Sequence, residues 1–185
     1  MRSLFFVLIV VILVGESSCS QHTKNERKVN FDNAILITEK KVVDLTAPGS
    51  VFRVPEFMIV YESHGLYHEE AIKYLSRPDR TIDQKRIAIY SQQNGDVSDY
   101  LNFVRRSLKL FEANIISEYL FSETLSNPAD KNFMIIKNYA DKEVRELVNG
   151  LMQHEKISPD LKFRLDRILS GGVWQNIKDV SGLGD

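Results

Sequence analysis

The chain has 185 residues, 43% hydrophobic and 26% charged, with 24 Lys+Arg against 25 Asp+Glu, a single cysteine and a formal net charge of −1. Such a length fits one ordinary globular domain with a core large enough to need no covalent staples. The near-neutral balance lacks the electrostatic footprint of a non-specific nucleic-acid binder, and one cysteine excludes an internal disulfide and a cysteine-rich zinc site.

Residues 1–18 read as an export signal: Arg2 supplies a positive charge, Leu4 to Val14 form an apolar run, and small polar residues follow. Eleven apolar residues are too few to span a bilayer as a helix and suit the core of a secretory signal. Cys19 lies a few residues beyond that run, preceded by the small residues Ser17 and Ser18. The segment resembles a bacterial lipoprotein signal, and the resemblance implies lipidation at Cys19 and a new N-terminus there. Glu16 stands where such signals carry an apolar residue, and Gly15/Ser17 or Ser18/Ser20 fit an ordinary signal peptidase, so soluble periplasmic or secreted protein is the second reading. Ser20 in place of Asp after the cysteine resembles the outer-membrane-sorted lipoproteins of enterobacteria, facing the periplasm. No N-x-S/T sequon occurs, which agrees with a bacterial source.

Residues 19–28 are polar and basic and read as a flexible tether. In residues 29–54 the runs Ala34-Ile35-Leu36-Ile37 and Val42-Val43, broken by Glu39-Lys40-Lys41 and closed by Pro48-Gly49, predict two short strands or an extended segment packed on a helical body. Residues 55–175 carry the punctuation of a helical domain, and 176–185 form a tail.

Within that domain Thr81-Ile82-Asp83-Gln84 has capping-box form, and its helix is expected to stop at Asn94-Gly95. Asp96 or Ser98 caps a helix whose apolar stripe is Val97, Tyr100, Leu101, Val104, Leu108 and Phe111. Ser117 opens a shorter piece, and Asn127-Pro128 opens another through Phe133 and Ile136. Asp141 caps the helix of Val144, Leu147, Val148 and Leu151, and Ser158-Pro159 opens a last one, ended by Gly171-Gly172. The expected fold is all-α or mainly α: an antiparallel bundle or a short stack of helical hairpins. Repetition is suggested because Glu70 to Leu75 followed by Thr81-x-Asp83-x-Lys85 resembles Glu143 to Val148 followed by Ser158-x-Asp160-x-Lys162.

No catalytic constellation stands out. His64 and His68 have the spacing of a metal pair on a helix, but Gly65 between them weakens that helix, and a helix-end cap beside a solvated ring is the expectation. Glu62, Glu118 and Glu123 lie near aromatics and could serve a wall hydrolase, though Glu is common on helical surfaces. Serine and phosphate-loop signatures are missing from the sequence.

Two basic groups, Arg77, Arg80, Lys85, Arg86 and Arg105, Arg106, Lys109, could meet an acidic partner or lipid head groups, or form solvated faces balanced by Asp79, Asp83, Asp96 and Asp99. Tyrosines near helix ends, among them Tyr61, Tyr67, Tyr74, Tyr90, Tyr119 and Tyr139, are recognition candidates or core-edge residues. The expected partner-binding residues are Tyr67, Tyr74, Arg77, Arg80, Arg105 and Arg106. No cofactor, metal or nucleic acid is expected, and the expected partners are a lipid anchor and a periplasmic protein. As a loose class, small exported helical proteins without active-site motifs resemble immunity proteins that neutralise cell-envelope effectors. The alternatives are a structural or assembly lipoprotein of the envelope and a cell-wall hydrolase.

Overall fold

The computed structural model describes residues 29–45, 49–125 and 142–169. The segments expected to be an export signal and a tether, together with Cys19, Asn127-Pro128, Tyr139, Asp141, Gly171-Gly172 and the expected C-terminal tail, lie outside the described residues. Among the described residues the fold is helical, with no strand, and no helix is long and apolar enough to cross a membrane.

The first helix corrects the extended segment expected in residues 29–54. α1 spans Phe31–Lys41, opened by Asn30, whose side chain accepts from the Asn33 N–H at 3.0 Å. Its buried residues are Phe31, Ala34, Ile35 and Thr38, an i, i+3, i+4, i+7 set that only a helix brings to one side. Leu36 and Ile37, which make the sequence look like a strand, are only half-buried. Asp32 in the first turn and Lys40 and Lys41 in the last suit the helix dipole.

A 3-10 turn at Val51–Arg53 leads to α2, Pro55–Tyr61, with proline at the first helical position. Phe52 packs edge-on against Phe57 and Tyr61, at ring-centre distances of 5.3 and 4.8 Å. Next come α3, His68–Leu75, and α4, Ile82–Tyr90. The capping box at Thr81 forms: its hydroxyl accepts from Gln84 N–H at 3.1 Å and the Gln84 side chain accepts from Thr81 N–H at 3.2 Å. α4 ends at Tyr90, short of Asn94-Gly95, because Ser91, Gln92 and Gln93 tighten into a buried turn whose N–H groups donate to Ile87, Ile89 and Tyr90.

α5, Val97–Glu112, is capped by Asp96, and α6, Glu118–Thr124, by Ser117. α7 spans Lys142–Gln153 and α8 spans Pro159–Leu169, where the Ser158 hydroxyl accepts from Leu161 N–H at 3.2 Å.

α4 lies at the centre, packed by α1, α3 and α6, and α5 touches α3, α6 and α7. α4 buries Gln84, Lys85, Ile87, Ala88, Ile89 and Tyr90, so it has almost no solvent face. The α3/α4 and α7/α8 pairs are both helical hairpins, as the paired sequence pattern suggests. Their likeness stops at the caps, since α8 leaves Phe163 exposed where α4 is enclosed.

Replacing Ile89 by alanine removes three methyl or methylene groups from this enclosed helix and is expected to lower unfolding stability by about 2–5 kcal/mol. Ile82→Ala, at the exposed first residue of the same helix, should change it by less than about 0.5 kcal/mol. Urea unfolding of the two variants against the parent measures both.

Candidate functional site

The residues expected to bind a partner are mostly committed inside the molecule. Tyr67 is buried, and its hydroxyl donates to the Val29 carbonyl and accepts from the Val29 N–H, both at 3.1 Å, tying the start of the described chain to α3. The Tyr74 ring is buried against Phe31, and burial pushes its hydroxyl up to about 12. Neither ring is offered to a partner, which corrects that part of the sequence reading. A tyrosine near a helix end is a core-edge residue when a neighbouring helix covers it, and here α1 does so.

Arg77 and Arg80 converge on Asp32 of α1, at 2.6 and 3.0 Å to the same oxygen, and both also meet Asp79. The Arg80 guanidinium stacks over the Tyr74 ring at 4.9 Å. One helical step separates Arg105 from Arg106 and sends them to opposite neighbours. Arg105 reaches Glu143 of α7 at 3.3 Å, and Arg106 grips Glu69 of α3 through two bonds of 2.6 and 2.9 Å. Arg86 likewise pairs with Asp83 and approaches Glu123 of α6, which accepts from the Tyr90 hydroxyl. The acceptors Asp32, Glu69 and Glu123 come from other helices, so no local sequence pattern points to them.

The wall-hydrolase carboxylates are not gathered. Glu118 accepts from the Ser158 N–H at 2.6 Å, Glu123 belongs to the Arg86 cluster, and Glu62 ends α2. The two histidines do not share a helix either: His64 sits in the α2–α3 turn with φ 49°, and His68 is the first residue of α3. Among the described residues no group of three or more His, Cys, Asp or Glu could hold a metal.

The α2–α3 turn combines fixed geometry with free surface. His64 and Gly65 are consecutive left-handed residues, φ 49° and 85°, after which Leu66 projects with 52% of its surface exposed. Ile59 on α2 is also exposed. The turn closes through Leu66 N–H to Ser63 carbonyl at 3.3 Å and His68 N–H to Gly65 carbonyl at 3.0 Å.

Its other side is pressed on α5. A Cβ at Gly65 would stand 3.1 Å from His68 Cε1 and 3.3 Å from the Asp99 carboxyl carbon, and one at Gly95 would stand 3.1 Å from Asp99 Cβ. Asp99 is therefore held between two glycines, a close approach that any side chain would block. His68 packs on Phe103 with ring centres 5.4 Å apart, and its Nε2 is buried without a partner. Burial holds its pKa below the ordinary imidazole value, while the Asp99 charge and the Gln92 backbone pull the other way. Glu62 and Glu70, each four positions from Leu66 in the chain, are exposed. An exposed apolar tip between two exposed carboxylates in the sequence suits binding an apolar residue next to a cation. Gly65 and Gly95 were the sequence signals that could have located it.

Gly65→Ala pays both the left-handed backbone and the crowded contacts, so it should cost more than about 1 kcal/mol. Gly49→Ala, with φ 79° and nothing within 4 Å, pays only the backbone cost and should lose less, as paired urea unfolding curves will report. No protein-family model, curated protein or solved structure matches this chain.

Proposed function

We propose that the chain is an exported bacterial lipoprotein, anchored through Cys19, whose helical domain is a non-catalytic protein-binding module of the immunity type that blocks a cell-envelope effector. The lipoprotein-like segment ending at Cys19 and Ser20 supports export and outer-membrane placement facing the periplasm. The observation that carries the binding reading is the α2–α3 turn, where Leu66 is held out on a backbone fixed by two left-handed residues. A rigid apolar tip loses little entropy on docking, and Glu62 and Glu70, exposed on either side of Leu66 in the chain, favour a partner carrying Lys or Arg beside its apolar pocket. Arg77, Arg80, Arg105 and Arg106 then support the scaffold rather than the contact, since each is paired across helices.

The test uses the full chain with a C-terminal tag, offered to envelope extracts. The expected result is one stoichiometric protein partner, weakened by at least about tenfold in Leu66→Arg. Cells making the parent protein should survive that partner's toxicity, and cells making Leu66→Arg should not. Capture of several envelope-assembly proteins would replace this reading with the structural one, and release of sugar or peptide fragments from purified sacculi would replace it with a hydrolase.

A further inference from the structure

We propose that His68 is an acid-sensitive latch: its neutral ring holds the α2–α3 turn against the first turn of α5, and its protonation releases that contact. The inference goes beyond the docking reading and stands without it. Its basis is a buried ring, 7% exposed, laid on Phe103 at 5.4 Å with an Nε2 that has no partner among the described residues. A neutral imidazole leaves one weak acceptor unmet there. An imidazolium would leave an N–H donor and a full charge unmet, which costs far more in an apolar setting.

The charged groups facing the ring decide whether relief is at hand. Asp99 and Arg106 face it from α5, and Glu69 from its own helix, while the turn after α4 contributes the backbone of Gln92. Arg106 opposes protonation, and Glu69 is already held by Arg106 in a two-bond fork. Asp99 is the remaining acceptor, and it packs so close to both glycines that a Cβ on Gly65 would stand 3.3 Å from its carboxyl group and one on Gly95 would stand 3.1 Å from its Cβ. Moving that carboxylate toward Nε2 therefore shifts the turn, and leaving it in place strands a buried charge. Either way the closed arrangement is the one that protonation disfavours.

The direction with pH follows. The closed state holds the ring's pKa below its free value of about 6.5, so above that value the ring is neutral whether the latch is closed or open. As pH falls below it, the open state takes up a proton that the closed state refuses, and the closed state loses stability. His64 is exposed in the turn, and His154 meets Glu112 at 2.9 Å across α5 and α7, so neither shares this setting.

The test is made on the full-length protein. Ring resonances of the histidines, assigned with His→Gln variants, are followed from about pH 8 to pH 5, and backbone hydrogen exchange is read at both ends. His68 should titrate below the ordinary imidazole value, and exchange of the amides at 65–68 and 97–103, corrected for intrinsic rates, should rise about tenfold on acidification. His68→Phe, which keeps an aromatic ring on Phe103, should abolish that rise; His68→Gln serves the same purpose if the phenylalanine variant does not fold. A His68 ring that titrates at or above the ordinary imidazole value of about 6.5 overturns the proposal, as does an acid-induced rise that survives in either variant.

Discussion

The architecture depends on one helix that has almost no solvent face. α4 is enclosed by α1, α3 and α6, yet its sequence includes Gln84, Lys85 and Arg86 among the isoleucines. Each polar group must reach a partner or water, because a stranded polar or charged group inside costs more than most packing contacts return. Gln84 donates to Glu39 of α1 at 2.8 Å, and Arg86 donates to the Tyr90 hydroxyl at 3.0 Å while facing Glu123 of α6. Burial alone would lower the Arg86 pKa, and the oxygens of Tyr90 and Glu123 more than offset it, so the guanidinium stays charged. The Tyr90 hydroxyl is pushed up by burial first and by Glu123 second, so it stays a donor. α4 thus fastens its neighbours by the same residues that would otherwise make it a poor core helix.

The remaining cations follow a similar plan. Arg77 and Arg80 fasten α1 through Asp32, and Arg105 and Arg106 splay α5 between α7 and α3. Several of these groups are half-exposed and screened by solvent, so each pair alone adds little to stability, and their role is to set which helix sits beside which. These four arginines are engaged between helices, while Leu66 at the α2–α3 turn stays exposed with Glu62 and Glu70 exposed on either side of it in the chain.

Much of the fold is legible in local signals. Thr81, Asp96, Ser117 and Ser158 each cap a helix because a short side-chain oxygen meets the N–H of the residue three positions on, an arrangement completed within one turn. The stripe Tyr100, Leu101, Val104 and Phe111 is buried for an equally local reason, since 3.6-residue periodicity alone puts it on one side. In the sequence Ala34 to Ile37 suggests a short strand or an extended segment, because periodicity cannot assign so short a continuous apolar run without knowing which of its residues face the core. His68 was read as a helix-end residue and its burial missed, because the cover comes from Phe103, thirty-five positions away.

The sequence by itself determined that this is a helical chain with an export-like start, and where most of its helices open. Caps, prolines and apolar spacing act over a few residues, and their energies do not wait for the rest of the chain. Only the tertiary structure decided which tyrosines and arginines are surface and which are scaffold. Asp32, Glu69 and Glu143 acquire their partners through helix packing across 37 positions or more, as for Arg106 with Glu69 and Arg105 with Glu143. Burial and ion pairing are properties of that packing, so a residue's chemistry at these sites is set by neighbours its own sequence window does not contain.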